Sequence, residues 1–192
     1  MKPGKVRIIG GQWRGRLINV PEGEGLRPTP DRVRETLFNW LGQDLTGRRC
    51  LDVFAGSGAL SFEAASRNAT AVVAIESSRA AAQAIAQNQR ILALPNLNVV
   101  QADAFAWLAS PIPAAERFDV IFLDPPFAED WWARLAPLVA RVAAPEALVY
   151  CESAKVIDNL PGFVRTRQAR AGVVHYHLFT PEVPSGADGA GA

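Results

Sequence analysis

The chain predicts a doubly wound α/β sheet of Rossmann-like type, and three observations carry that expectation. The strand-like runs "CLDVF", "AVVAIE", "LNVVQ", "FDVIFL" and "ALVYCE" are nearly continuous in apolar residues. A strand covered by helices on both faces reads this way, whereas a half-exposed strand alternates. Helix-forming stretches separate successive runs, and βα alternation calls for a mostly parallel sheet with right-handed crossovers. The first strand runs into the glycine turn "AGSGAL", the place where such sheets receive a ligand.

Each element has its own reason. "KVRIIGGQWRGRLINV" is a glycine-punctuated hairpin. "LRPTPDRVRETLFNWL" starts a helix in which Thr29 can cap, Pro30 suits the first helical position and Asp31 suits the positive end of the dipole. Val33, Leu37, Trp40 and Leu41 form its apolar stripe, with Arg32, Glu35 and Asn39 on another face. "AGSGALSFEAASR" is a glycine turn entering a helix. "SSRAAAQAIAQNQRILAL" is an Ala-rich helix with Ser at its start and Pro95 beyond its end. "ADAFAWLAS" and "WWARLAPLVARV" continue the alternation, the latter with Pro137 inside. After residue 160 no crossover helix fits, and "FVRTRQARAGVVHYHLFT", broken at Gly172, reads as an antiparallel hairpin on the sheet edge. Residues 181–192 offer nothing to bury and are expected to be a disordered tail. The expected organisation is an N-terminal RNA-binding extension over 1–45, a catalytic domain over 46–180 and the tail.

The 192 residues are 49% hydrophobic, enough for one real core. No apolar run approaches the roughly 18 residues of a membrane span, and no signal sequence opens the chain. A soluble cytoplasmic protein without membrane or metal partners is expected. Cys50 and Cys151 sit inside strand-like runs and read as buried free thiols. Net charge is +1 but unevenly spread: residues 1–49 hold ten Lys/Arg against five Asp/Glu, and the remainder holds ten against fourteen. A basic N-terminal quarter is a handle for a polyanion.

Gly56 and Gly58 permit a tight turn and close approach of a ligand. A dinucleotide would want G-x-G-x-x-G, but the third glycine position is Ser61. S-adenosylmethionine carries no phosphate, and Asp52 can orient its ammonium where it would repel a pyrophosphate. Glu76, about 20 residues past the turn, suits ribose hydroxyls. Asp103 suits the adenine amine, with Phe105 beside the ring; Phe54 and Ala104 flank these turns. Each acid alone is equally a cap or loop end. Together they fall at the carboxyl ends of successive strands.

"DPPF" ends the fourth strand at the same edge. Pro125 and Pro126 fix φ and remove two N–H donors, so a stiff frame presents the local carbonyls. The Asp124 carboxylate and the Pro125 carbonyl can each accept one hydrogen of a planar exocyclic amine, holding its lone pair toward a sulfonium methyl. Phe127 offers a face to an extruded base.

"D-P-P-F" is similar to the (D/N/S)-P-P-(F/Y/W) motif of amino-methyltransferases. Together with "RIIGGQWRGRLINVP", "LRPTPDRVRETLFNWL", "CLDVFAGSGALSFEAASR" and "AGVVHYHLF", it resembles the RsmD family, the bacterial small-subunit rRNA guanine-N2 methyltransferases. The resemblance spans nearly all of the chain. It implies a monomeric class I methyltransferase that moves a methyl from S-adenosylmethionine to a guanine of 16S rRNA in an assembling small subunit. It implies a cofactor turn at Asp52, Gly56 and Gly58, ribose contact at Glu76, adenine contact at Asp103, and a catalytic loop at Asp124, Pro125, Pro126 and Phe127. It also implies RNA contact by Arg7, Trp13, Arg14, Arg16, Arg27, Arg32 and Arg34. The chain departs from the family pattern at Ser77-Ser78, where relatives often carry a further acid, and at Pro30, where a hydroxyl residue is common. The alternatives are a DNA adenine or cytosine amino-methyltransferase, which would usually carry a target-recognition insertion, and a non-catalytic assembly factor. His175, His177, Trp131 and Trp132 read as packing or surface.

Overall fold

The computed structural model describes residues 4–20, 29–126 and 131–182. Arg27, Phe127 and all but the first two residues of the expected tail lie outside them. Strands β3 (Arg49–Asp52), β4 (Ala71–Glu76), β5 (Leu97–Gln101), β6 (Phe118–Leu123) and β7 (Ala143–Ser153) form the parallel part of a seven-stranded sheet. β9 (Val174–Pro181) pairs antiparallel with β7, and β8 (Phe163–Ala171) closes that edge, giving the order β5-β4-β3-β6-β7-β9-β8. The chain winds outward from β3 to β5, then returns to the other side of β3 with β6. The topological switch point, where open α/β sheets bind ligands, therefore lies between the carboxyl ends of β3 and β6.

Strand residues alternate between two cores. Cys50, Val72, Val120, Phe122 and Tyr150 pack with α1 (Asp31–Leu41), α2 (Ala59–Ser66) and α3 (Arg79–Leu92). Leu51, Ile75, Ile121, Leu123 and Cys151 pack on the other face with α4 (Ala104–Ala109) and α5 (Trp131–Val142). Both cysteines are free and buried, as expected. Burial raises each thiol, so neither is a reactive thiolate at neutral pH. Among the described residues no helix is long and apolar enough to cross a membrane.

The N-terminal extension is built into the first core. Its hairpin, β1 (Gly4–Arg7) with β2 (Leu17–Val20), buries Val6, Ile8, Ile18 and Val20, and α1 adds Val33, Leu37 and Phe38. The glycine pair of "IIGGQW" sets this docking. A Cβ on Gly10 would lie 2.1 Å from the Arg67 guanidinium, and one on Gly11 would lie 1.9 Å from the Ser66 carbonyl oxygen. Asn88 of α3 clamps Asn19 of β2, accepting from its N–H and donating to its carbonyl.

The structure corrects several expectations. Thr29 does not cap α1: Pro30 occupies the N-cap position without a side-chain bond, and Asp31, not Pro30, is the first helical residue. Phe38 joins the buried stripe, while Trp40 and Leu41 are only half-buried. Pro181 is the last residue of β9, paired with Phe163, and the Glu182 N–H bonds the Gly162 carbonyl, so ordered structure extends past residue 180.

Candidate active site

Four acids project from the carboxyl edge on one face of the sheet. Because side chains alternate along a strand, Glu76, Asp52, Asp124 and Glu152 all follow the face of Val72, Cys50, Phe122 and Tyr150. Asp52 pairs in register with Phe122, which pairs with Tyr150. Asp124 and Glu152 therefore stand level with each other, one two-residue step beyond Asp52.

Asp52 is almost fully buried, and its Oδ2 accepts the Ser61 hydroxyl at 2.6 Å. Burial pushes its carboxyl up to about 7, with the charges of Asp124 and Glu76 adding to the rise. The next turn is drawn tight by Gly58 N–H donating to Ala55 O at 2.6 Å, with φ of 53° at Gly56 and 78° at Gly58. A Cβ on Gly58 would lie 2.9 Å from the Phe62 ring, so this glycine is required twice over. Glu76 braces the turn: Oε2 accepts the Gly56 N–H and Oε1 the Ser78 N–H, both at 2.7 Å. Asp103 caps α4 through Oδ1 and the Ala106 N–H at 2.8 Å, leaving Oδ2 without a hydrogen bond among the described residues. Ala104 is the buried first residue of that helix.

An aromatic wall stands beside these turns. Phe105 stacks on Trp131 at 5.0 Å between centroids, Phe54 meets Trp131 edge-on at 5.9 Å, and the Arg134 guanidinium lies 4.3 Å from the Phe105 centroid. The Phe105 ring expected to flank a ligand is thus held by Trp131, which reads as packing or surface in the sequence.

Asp124 follows the last paired residue of β6. Burial pushes its carboxyl up to about 6. Beside it, Glu152 is 7% exposed; Oε1 accepts the Tyr150 hydroxyl at 2.8 Å, and Thr29 donates its hydroxyl to the same carboxyl. Burial and then the Asp124 charge raise Glu152 to about 8. Glu152, Tyr150, Thr29 and Ser61 are absent from the sequence-derived site. One signal was present for Glu152: "ALVYCE" ends in an acid just as "CLD", "AVVAIE" and "VIFLD" do.

The basic extension divides into exposed and engaged residues. Arg7, Arg14, Arg16 and Arg32 are exposed. Arg34 is not available to RNA. It is 1% exposed and donates to Glu63 at 2.6 Å, to the Arg7 carbonyl at 2.9 Å, to the Thr29 carbonyl at 3.1 Å and to Asp31. Trp13 is half-buried, with its indole N–H on the Leu92 carbonyl at 2.8 Å, so it pins the hairpin to α3. A cleft of about 310 Å³ lined by Lys5, Arg7, Leu17, Thr29 and Asp31 opens between the hairpin and the start of α1. Thr29 joins this cleft to Glu152.

Residues 6–180 match the family model described as "Conserved hypothetical protein 95". The chain is 42% identical over 191 residues to ribosomal RNA small subunit methyltransferase D of Escherichia coli, covering 96% of this chain and 94% of that protein. The chain belongs to the RsmD family. It is 38% identical to the protein of the same name from Haemophilus influenzae, over 92% of this chain and 94% of that one. A solved methyltransferase from E. coli superposes with a TM-score of 0.82 at 43% identity, over 93% of this chain and 99% of that one. The 16S rRNA N2 G1207 methyltransferase of Thermus thermophilus, solved with AdoMet and guanosine, shares the fold at 21% identity with a TM-score of 0.69. It matches over 94% of this chain and 50% of that one. The RsmD fold is thus the class I, Rossmann-like methyltransferase fold that the sequence predicts.

Proposed function

We propose that this RsmD-family protein transfers a methyl group from S-adenosylmethionine to the exocyclic N2 amine of a guanine in small-subunit rRNA. The observation that carries the reading is the Asp124-Pro125-Pro126 turn at the switch point, one two-residue step beyond the buried Asp52 and beside a glycine turn lined with carboxylates. The donor set fits this cofactor. Asp52, Glu76 and Asp103 suit an ammonium, ribose hydroxyls and an adenine amine, and the same acids would repel the phosphates of a dinucleotide. When bound, S-adenosylmethionine supplies an electrophilic methyl on a sulfonium.

The rest is done by this chain's residues. The Asp124 carboxylate and the Pro125 carbonyl accept the two N2 hydrogens, which fixes the plane of the amine and exposes its lone pair. The lone pair so exposed would face the methyl that the bound cofactor supplies. Asp124 stabilises the positive charge developing on N2 and accepts the proton that leaves. Its elevated pKa, about 6, matches it to that task near neutral pH. Arg7, Arg14, Arg16 and Arg32 supply phosphate contacts on the extension, and Arg27 and Phe127 keep the roles that the family resemblance implies.

The test is methyl transfer from labelled donor to undermodified small subunits, free rRNA and DNA in parallel, followed by nucleoside analysis. The expected product is N2-methylguanosine in rRNA. Label in N6-methyladenosine, or in DNA, would overturn the reading.

A further inference from the structure

We propose that Glu152 is a specificity-determining acceptor for the base, taking the guanine N1–H while Asp124 holds the neighbouring N2 amine. The inference rests on the acceptor reading above. Its basis is placement. β6 and β7 are adjacent parallel strands, with Phe122 paired to Tyr150 and Leu123 to Cys151. Asp124 and Glu152 are the next same-face residues, so their backbones lie one strand spacing, about 4.8 Å, apart, and the Asp124 charge acts on the Glu152 carboxyl. Guanine shows two adjacent donors, N1–H and N2–H, on one edge. Adenine and cytosine interrupt their amine edge with an acceptor nitrogen. Two neighbouring acceptors match the guanine edge alone.

The support around Glu152 has the character of a held group. The Tyr150 hydroxyl and Thr29 fix the carboxyl from two sides, and Tyr150 is itself fully buried against Phe122 and Tyr176. The Tyr150 and Thr29 donors to the Glu152 carboxyl are both neutral hydroxyls. A half-buried carboxyl and a buried one side by side raise each other's cost of ionisation, as the Asp124 charge does for Glu152, and such arrangements concentrate where a ligand supplies donors. A purely structural Glu152 would leave that cost unexplained, since an apolar residue could fill the same position.

The experiment compares kcat/KM on two RNA substrates that differ at the target base, guanine or 2-aminopurine. The latter keeps the N2 amine, but its N1 carries no hydrogen. Glu152→Ala should lower kcat/KM on the guanine RNA by about 10–100-fold, the scale of leaving a desolvated donor without its partner. On the 2-aminopurine RNA it should change little. Glu152→Gln keeps an acceptor oxygen and should recover most of the guanine activity. Tyr150→Phe, which removes only the clamp, should show a smaller loss confined to guanine. If Glu152→Ala fails to fold, Glu152→Gln and Tyr150→Phe carry the same comparison. Equal losses on both substrates would make Glu152 structural and overturn the proposal, as would no loss on either. A wild type that methylates neither substrate overturns the underlying acceptor reading instead.

Discussion

Arg34→Met should destabilise the protein by about 3–5 kcal/mol, the cost of breaking a buried ion pair by removing one partner. The magnitude follows from what the guanidinium holds. Glu63 is fully buried; its Oε1 accepts from Arg34 at 2.6 Å and from the Ile9 N–H at 2.6 Å, while its Oε2 faces Arg67 Nε at 3.3 Å. Without Arg34 the carboxylate keeps one cation at the longer distance, and the Thr29 and Arg7 carbonyls each lose a donor. The Thr29 acceptor, whose bond is buried, would add to that cost more than the part-buried Arg7 carbonyl. For a chain of this length, roughly 2–4 °C of melting temperature per kcal/mol converts the loss to a drop of about 6–20 °C. Arg34→Lys keeps the charge but lacks the fork of donors, so it should recover only part of the loss. Urea unfolding of the three proteins decides. An Arg34→Met variant within about 1 kcal/mol of wild type, but with a flattened salt dependence of RNA binding, would refute the reasoning and return Arg34 to the RNA-facing set.

Three further outcomes are expected. Asp124→Ala should cut single-turnover methyl transfer by about 10²–10³-fold, with Asp124→Asn retaining measurable activity because it keeps an acceptor oxygen; full activity in Asp124→Ala would leave the turn a merely stiff loop. Replacing Arg7, Arg14 and Arg16 together by Ala should flatten the salt dependence of RNA binding by about one unit of slope per lost phosphate contact, measured by filter binding across a salt series, and a wild-type slope would remove them from the interface. Glu152, raised to about 8 from the ordinary 4.5 of a glutamate, binds its proton more tightly when folded. Its contribution therefore favours the folded state most below about pH 4.5 and is lost as pH rises through about 8. Glu152→Gln, which cannot ionise, should gain on wild type over that window, and urea titrations at pH 5 and pH 9 showing a constant difference would count against a buried, protonatable Glu152.

The fold was legible because continuous apolar runs, glycine turns and Ser or Asp starts each have a local cause. The positions of Asp52, Glu76, Asp103 and Asp124 at strand ends followed from that pattern alone. Arg34 was misplaced although the helix period contained the answer. Val33 and Leu37 set the buried stripe, and residue 34, one turn before Leu37 and Phe38, shares their side of the helix. Arg32, two positions earlier, points away. A charge at a core position implies a buried carboxylate partner, but Glu63 lies 29 residues on, in another helix, and no local pattern links the two. The tether of Trp13 was equally out of local reach: its partner, the Leu92 carbonyl, is 79 residues away. The role of Thr29 is likewise a tertiary property, since its hydroxyl finds Glu152 instead of the helix start.

Those long-range ties have a common centre. Arg34 Nε fixes the Thr29 carbonyl, and the Thr29 hydroxyl reaches Glu152 beside Asp124. The same guanidinium fixes the Arg7 carbonyl at the end of β1 and, through Glu63, the Ile9 N–H. The basic hairpin, the start of α1 and the acceptor edge of the sheet are thereby joined through one buried cation. An apolar residue at position 34 could fill the space but could not satisfy a carboxylate and two carbonyls from three different segments. The buried charge is best understood as the device that sets the distance between the exposed arginines of the hairpin and Asp124, the distance that, on the proposed function, a base extruded from RNA must span.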